Sequence, residues 1–165
     1  MSDAFDPSVS FRDLLNYNND EMLAWAEWLR EHHAAQEVPV GGKAGTVLGL
    51  YAHVAAAEIF LLARVKGATP DPADYTVART VDEAFAMHRR AQAGLEGYVE
   101  RMTEEELGTI VEFPVRADLA VSRRKVLVQA IMHGVHHRAQ MAMALRQAGM
   151  PRDRMNDYIL SPVVV

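Results

Sequence analysis

The sequence predicts an all-α protein, a single four-helix bundle over residues 1–165 with a short extended excursion between its third and fourth helices. Four segments of roughly twenty residues carry apolar side chains at intervals of three and four, which is the period of an amphipathic helix. Loops rich in glycine and proline separate these segments, and neither a set of alternating strands nor an internal repeat interrupts them. Half of the 165 residues are apolar, which suffices for one core.

The first predicted helix covers Phe11–His33 and follows a lead-in, Met1–Ser10, that is expected to be unstructured. The stretch Glu37–Gly45 contains one proline and three glycines, so it is predicted to be a loop. Thr46 is a candidate N-cap for the second helix, which should end at the glycine and proline near residue 70.

The third helix is predicted to begin at Thr80 and Glu83, which have the spacing of a capping box, and to cover Val81–Met102. Residues 109–115 (TIVEFPV) are rich in β-branched side chains, so a short extended or hairpin-like segment is expected there. Ser122 is a candidate N-cap for the fourth helix, Ser122–Ala148, which would be about 40 Å long.

The connection that contains Pro70 and Pro72 and the connection 103–121 are both long enough to cross the bundle. Spacing alone does not choose between them. The tail after Pro151 is predicted to be irregular, with an apolar end, Val163–Val165, that packs back on the bundle.

Composition excludes several classes of function. The net charge is −5 and the basic residues are scattered, so we expect no nucleic-acid partner. The absence of cysteine excludes disulfides, thiolate zinc sites and a cysteine nucleophile, and it is compatible with a reducing compartment. The acidic first ten residues lack the apolar core of a signal peptide, and no apolar run approaches the ~20 residues that span a bilayer. A cytoplasmic protein without a membrane partner is therefore expected.

The stretch Gln129–Gln147 contains three of the seven histidines. His133 and His137 are four residues apart, so they lie on one helical face, one turn apart, and can aim two imidazoles at one metal ion. We expect the third ligand to be His53, in the middle of the second helix on its apolar stripe. Its neighbours there are small and leave a space beside the imidazole, and in a bundle the second and fourth helices can lie side by side.

Other arrangements of these side chains remain open. Taken alone, His53 is more typical of a core histidine hydrogen-bonded to a carbonyl or a water. His133, His137 and Gln140 could likewise form a hydrogen-bonded network without a metal. His136 also lies near that face. We expect it either to contact one of the metal-binding residues without binding the metal itself, or to face a neighbouring helix. The remaining histidines are weaker candidates for ligands: His32, His33 and His88.

Several motifs of known chemistry are absent from the sequence. Without a Glu-x-x-His pair a ferritin-like di-iron site is not expected, and without HExxH a zincin-type protease is not expected. The GGKAG segment, Gly41–Gly45, lacks the spacing of a Walker loop, and no nucleophile elbow surrounds a serine.

Three segments of the sequence resemble the DinB/YfiT-like family of four-helix bundles. HGVHHRAQ, His133–Gln140, resembles its His-x-x-x-His-Arg-Gly-Gln signature, with Ala139 in place of the usual glycine. LYAHVAAAE, Leu50–Glu58, resembles its second-helix motif, and LLNYNNDEMLAWAEWL, Leu14–Leu29, resembles its first helix. Gln129 stands where many relatives have a further histidine.

The resemblance implies a divalent metal held by His53, His133 and His137, the same residues that spacing selects. It also implies a homodimer and, as in several members, a metal-dependent transferase or isomerase that uses a low-molecular-weight thiol. Glu58 follows His53 by five residues, which is about 140° around the helix, so Glu58 should point away from the metal.

A three-histidine site leaves positions open for water or substrate, which is typical of a catalytic metal. Zinc is the first expectation, and nickel or iron(II) would also suit three imidazoles. We expect a metal-dependent thiol S-transferase or a hydrolase with a small-molecule substrate. The alternatives are a non-catalytic metal- or ligand-binding bundle and a structural, dimerising bundle. No general base is visible in the flanking faces, so a base would come from a loop or from His136.

Overall fold

The computed structural model describes residues 7–76, 78–113, 119–154 and 157–158, and within them the chain forms four long helices, two short helices and two small antiparallel hairpins. The elements in chain order are helices α1 (Pro7–Glu31) and α2 (His33–Gln36), strands β1 (Pro39–Gly41) and β2 (Gly45–Thr46), helix α3 (Val47–Val65), a 3₁₀ turn (Pro72–Tyr75), helices α4 (Val81–Val99) and α5 (Glu104–Gly108), strands β3 (Ile110–Glu112) and β4 (Ala120–Ser122), and helix α6 (Arg123–Gln147). The all-α bundle with an extended excursion before its last helix is therefore confirmed.

Helix α1 differs from its prediction at both ends. It begins at Pro7, so the expected lead-in is wrong for residues 7–10, while residues 1–6 lie outside the described chain. Proline is favoured in a first helical turn because the N–H that it lacks has no partner there. The helix ends at Glu31 because His32 leaves the helical conformation, with φ −120° and ψ 65°. His32 Nδ1 lies 2.8 Å from the carbonyl oxygen of Trp28.

The segment predicted to be a loop between the first two long helices is a hairpin, with Pro39 opposite Thr46 and Gly41 opposite Gly45. Gly41, Gly42 and Gly45 have φ angles of 73°, 63° and 73°, which residues with a side chain rarely adopt. The glycines that signal a loop in the sequence thus form the turn of this hairpin.

Two helix starts agree with the prediction, because the hydroxyls of Thr46 and Ser122 each accept the N–H of the third residue after them. Thr80 also accepts the N–H of Glu83, but the Glu83 carboxylate accepts the N–H of Arg79 instead of that of Thr80. The predicted capping box is therefore only half formed.

Helix α4 ends at Val99 rather than Met102, and α5 is a separate short helix that was not predicted. The break comes at Thr103, whose extended backbone, φ −111° and ψ 162°, begins a complete capping box with Glu106. The expected extended segment is confirmed as the hairpin β3–β4, in which Ile110 pairs with Ser122.

Helix α3 packs against both α4 and α6, and α1 packs against α4. The prediction that the second and fourth long helices lie side by side is therefore confirmed for α3 and α6. Because α3 and α4 are direct neighbours, the connection through Pro70 and Pro72 does not cross the bundle. Among the described residues, α4 and α6 do not pack against each other as those pairs of helices do. The chain therefore crosses the bundle between α4 and α6, in the connection 100–122.

The core consists of two apolar clusters with a polar layer between them. One cluster surrounds Trp25 and Tyr51, and the other surrounds Leu15 and Leu95. Along each long helix, a buried polar residue lies between the part in the first cluster and the part in the second. These four residues are Asn18 on α1, Glu58 on α3, His88 on α4 and Arg138 on α6.

The expectation that no apolar segment is long enough to span a bilayer is corrected by helix α3. Val47–Val65 is long and apolar enough to do so by length and composition. However, 61% of its most apolar stretch is buried inside the bundle, as expected for the core helix of a soluble protein. The predicted packing of Val163–Val165 lies outside the described residues.

Candidate metal centre

Helices α3 and α6 bring His53, His133 and His137 together. One ring nitrogen from each residue lies within 4.8 Å of those of the other two. The ring of His53 is 5.0 Å from each of the other rings, and the rings of His133 and His137 are 4.3 Å apart, measured between centroids. We call these three side chains the triad.

The position of His53 differs from the prediction. It was expected on the apolar stripe of its helix, but its side chain is exposed, whereas His133 and His137 are half-buried. The residues one turn before and after it, Gly49 and Ala57, are too small to cover the ring. The triad therefore lies in an open groove between α3 and α6 instead of inside the bundle.

Hydrogen bonds determine which nitrogen of His137 is free. Its Nδ1 lies 2.6 Å from Oε1 of Gln140, which can only accept a hydrogen bond, so Nδ1 carries the proton. The Nε2 atom of neutral His137 is then unprotonated, and it lies 3.0 Å from Nε2 of His133. Gln140 thus directs a lone pair of His137 toward the centre of the triad.

The triad is disposed to be neutral near pH 7. Burial, followed by the nearby imidazoles, lowers the pKa of His133 to about 4. Partial burial, followed by His137, also lowers the pKa of His53. Burial lowers the pKa of His137, and the hydrogen bond to Gln140 opposes that shift in part. Neutral imidazole is the form that binds a metal.

The chemistry of the triad fits a divalent metal. Ligand atoms about 2.0–2.1 Å from a tetrahedral zinc ion lie roughly 3.3 Å apart, and the two Nε2 atoms already approach within 3.0 Å. The other ring nitrogen of His133, Nδ1, is buried without a hydrogen-bond partner among the described residues, and a metal bound at Nε2 would leave it so.

The other histidines lie outside the triad. His136 is exposed, and its ring is 5.0 Å from that of His137, so it lies beside the triad rather than against a neighbouring helix. His32 and His33 are exposed near the end of α1. His88 is fully buried on α4 and belongs to the polar layer.

The polar layer explains two residues of the motifs whose role the sequence did not show. Arg138 Nη1 donates to Asn18 Oδ1 at 2.6 Å, and Asn18 Nδ2 donates to Glu58 Oε1 at 2.7 Å. Glu58 Oε2 lies 2.6 Å from Nδ1 of His88. Glu58 therefore points away from the triad, and this chain of contacts joins all four long helices.

The role of His88 was missed, although the sequence contained a signal for it. Ala84, Ala91 and Leu95 are buried and share its helical face, so the pattern of α4 places an imidazole in the core. Its partner, Glu58, could not be identified from sequence because that residue is on another helix, 30 residues away.

A four-helix bundle with a histidine triad in the groove between two of its helices defines a class of helical proteins that can bind a metal. A family model described as "DinB family" matches residues 1–161, and the chain belongs to that family. The resemblance seen in the sequence is thereby confirmed. The comparison with curated proteins found no match.

Proposed function

We propose that this protein is a metal-dependent enzyme in which His53, His133 and His137 hold one divalent metal ion. The observation that carries the proposal is the convergence of three imidazole nitrogens within 4.8 Å, in a groove where His53 is exposed. Three protein ligands with an open side are typical of catalytic sites, whereas structural zinc sites are closed by four. Zinc is the first choice of metal, with nickel and iron(II) as alternatives.

The reaction that we propose is transfer to or from a low-molecular-weight thiol, with hydrolysis as the alternative, on a small-molecule substrate. A bound divalent metal lowers the pKa of a coordinated thiol or water and polarises a carbonyl group. The chain contributes orientation: the triad fixes the ligand geometry, and Gln140 fixes the tautomer of His137. Among the described residues that line the cavities beside the triad there is no carboxylate. A thiol bound to a metal loses its proton more readily than bound water does, so a thiol depends less on a protein base.

The same lack of a carboxylate favours the second candidate function, a non-catalytic bundle that binds a metal or a small ligand. Activity toward electrophiles in the presence of added thiols separates the two candidates. Turnover that depends on both metal and thiol supports the transferase, and hydrolysis without thiol supports the hydrolase. Metal binding without either activity supports the binding bundle.

The experiment that tests the site is a metal analysis of protein purified without a histidine tag. We expect about one zinc, nickel or iron per wild-type chain after incubation with each metal, and none in the His133→Ala, His137→Ala double variant. His33→Ala removes an exposed histidine outside the triad and is the matched control. Wild-type protein that binds none of the three metals would overturn the proposal and leave a structural bundle.

We also propose that the protein is a homodimer and works in the cytoplasm. Support for the dimer comes from exposed apolar side chains on α6, since Met132 is 55% exposed and Met143 is 56% exposed. Residues 132 and 143 are eleven apart, which places them on one face of the helix. Exposed apolar side chains that share a face are typical of an interface between proteins.

A further inference from the structure

The triad lies between two cavities of different chemical character. His53, His137 and Gln140 line one side of a cavity of about 610 Å³, whose other side is the hairpin β1–β2. We call this the hairpin cavity. His133 lines a second cavity of about 350 Å³, which we call the apolar cavity because seven of the ten described residues that line it are apolar; the other two besides His133 are Lys125, which is exposed, and Gln129.

The hairpin cavity has a shape that the local sequence imposes. Three glycines with positive φ turn the chain between β1 and β2. A side chain on Gly49 would overlap the carbonyl oxygen of Ala44, so this glycine lets the hairpin fold onto the first turn of α3. The only charged residue among the described residues that line this cavity is Lys43, which is exposed at the tip of the hairpin.

The apolar cavity is held open by contacts between α3 and the second hairpin. The rings of Phe60 and Phe113 pack at 6.1 Å between centroids. Arg64 hydrogen-bonds to the carbonyl oxygen of Glu112, and its guanidinium lies 5.4 Å from the centre of the Phe113 ring. Both cavities fall in the size range of small-molecule sites.

We propose that the triad is the meeting point of two ligand sites, an anion site in the hairpin cavity and a site for an apolar group in the apolar cavity. Lys43 would recognise a carboxylate on the ligand in the hairpin cavity, and the aromatic walls would hold the apolar group of the other ligand. This inference rests on the proposed function, since a transfer reaction needs two ligands at one metal. The carboxylate can belong to the thiol or to its reaction partner.

The test uses nuclear magnetic resonance titrations of the full chain, with and without zinc. The carboxylate probes are 3-mercaptopropionate and propionate, the matched neutral thiol is 2-mercaptoethanol, and the apolar probe is toluene. We expect the carboxylate probes to shift the amides of residues 41–45 and toluene to shift those of residues 119–121 and 126. Saturation with one probe should leave the affinity for the other unchanged.

Three variants separate the two sites. Lys43→Met should weaken carboxylate binding by about fivefold, the upper range for an exposed ion pair, and leave toluene binding unchanged. Lys66→Met removes a lysine that lines neither cavity, and it should change the binding of neither probe. Val121→Phe fills the apolar cavity and should abolish toluene binding only, with its folding checked by the spectrum.

The outcomes also separate this inference from the proposed function. Equal carboxylate affinity in wild type and Lys43→Met, or competition between the probes, overturns the two-site inference whether or not zinc binds. If zinc does not bind but propionate and toluene still occupy separate sites, the metal proposal fails and the two ligand sites stand. Preference for 3-mercaptopropionate over propionate only when zinc is present assigns the carboxylate to the thiol.

Discussion

The side chain of Gln140 determines how His137 presents its lone pair to the triad. We predict that Gln140→Leu lowers zinc affinity by about 10- to 100-fold, the usual effect of removing the partner that orients a metal-binding histidine. Competition with a coloured chelator measures this change. Gln140→Glu keeps an acceptor for the Nδ1 proton, so it is the matched control and should retain the affinity. Equal affinity in all three proteins would contradict the role assigned to Gln140.

The lowered pKa values of the triad predict how the metal-free fold responds to acid. Unfolded histidines take up protons near the ordinary value of about 6.5, whereas burial holds the pKa of folded His133 at about 4. The unfolded state then binds more protons between these values, so stability falls as the pH drops from 6.5 toward 4.

Urea unfolding in the presence of a chelator, at pH 7.5 and pH 5.0, measures this effect. A variant with His53→Gln, His133→Gln and His137→Gln should lose less stability between the two pH values than the wild type. The comparison removes the contribution of the carboxylates, which both proteins share. An equal loss in both proteins would show that the triad does not titrate below its ordinary range.

At the scale of the helices, the polar layer fixes how α6 sits against α1. Gly134, on the motif helix, lies where a Cβ would be 2.7 Å from Asn18 Oδ1 and 2.8 Å from Arg138 Nη1. Arg138 can therefore fold along its own helix to reach Asn18 only because residue 134 has no side chain. This close approach explains why a glycine stands at position 134.

We predict that Gly134→Ala destabilises the fold by about 1–3 kcal/mol, because it forces apart a buried hydrogen bond. The loss should exceed the gain of roughly 1 kcal/mol that alanine brings to a helix interior. Urea unfolding measures the difference. Gly108→Ala is the control, since no atom lies within 4 Å of its added Cβ. A stabilised Gly134→Ala variant would mean that the polar layer relaxes without cost.

The helices were predicted with errors of only a few residues at their ends, because apolar periodicity and capping residues act locally. The short helix α5 and the strands of the first hairpin were missed because each has too few residues to show a period. The exposure of His53 was also missed, since it depends on how closely α6 approaches α3.

At the scale of the whole molecule, the exposed apolar face of α6 carries the dimer prediction. We expect sedimentation velocity to show a dimer for the wild type and a monomer for the Met132→Lys, Met143→Lys double variant, because lysine cannot be buried unpaired at an interface. Ile110→Lys removes an exposed apolar residue elsewhere and should remain dimeric. Metal content should be the same in all three proteins, and a monomeric wild type would overturn the dimer.

The sequence by itself determined the class of fold and the family, and it selected the three histidines that are the candidate metal ligands. It could do so because helical periodicity and i, i+4 spacing are local properties of the chain. Only the tertiary structure decided that the triad lies in an open groove, that Glu58 and His88 pair in the core, and that two cavities meet at the imidazoles. Those features depend on distances between residues far apart in sequence. Such distances follow from helix packing, which local spacing does not specify.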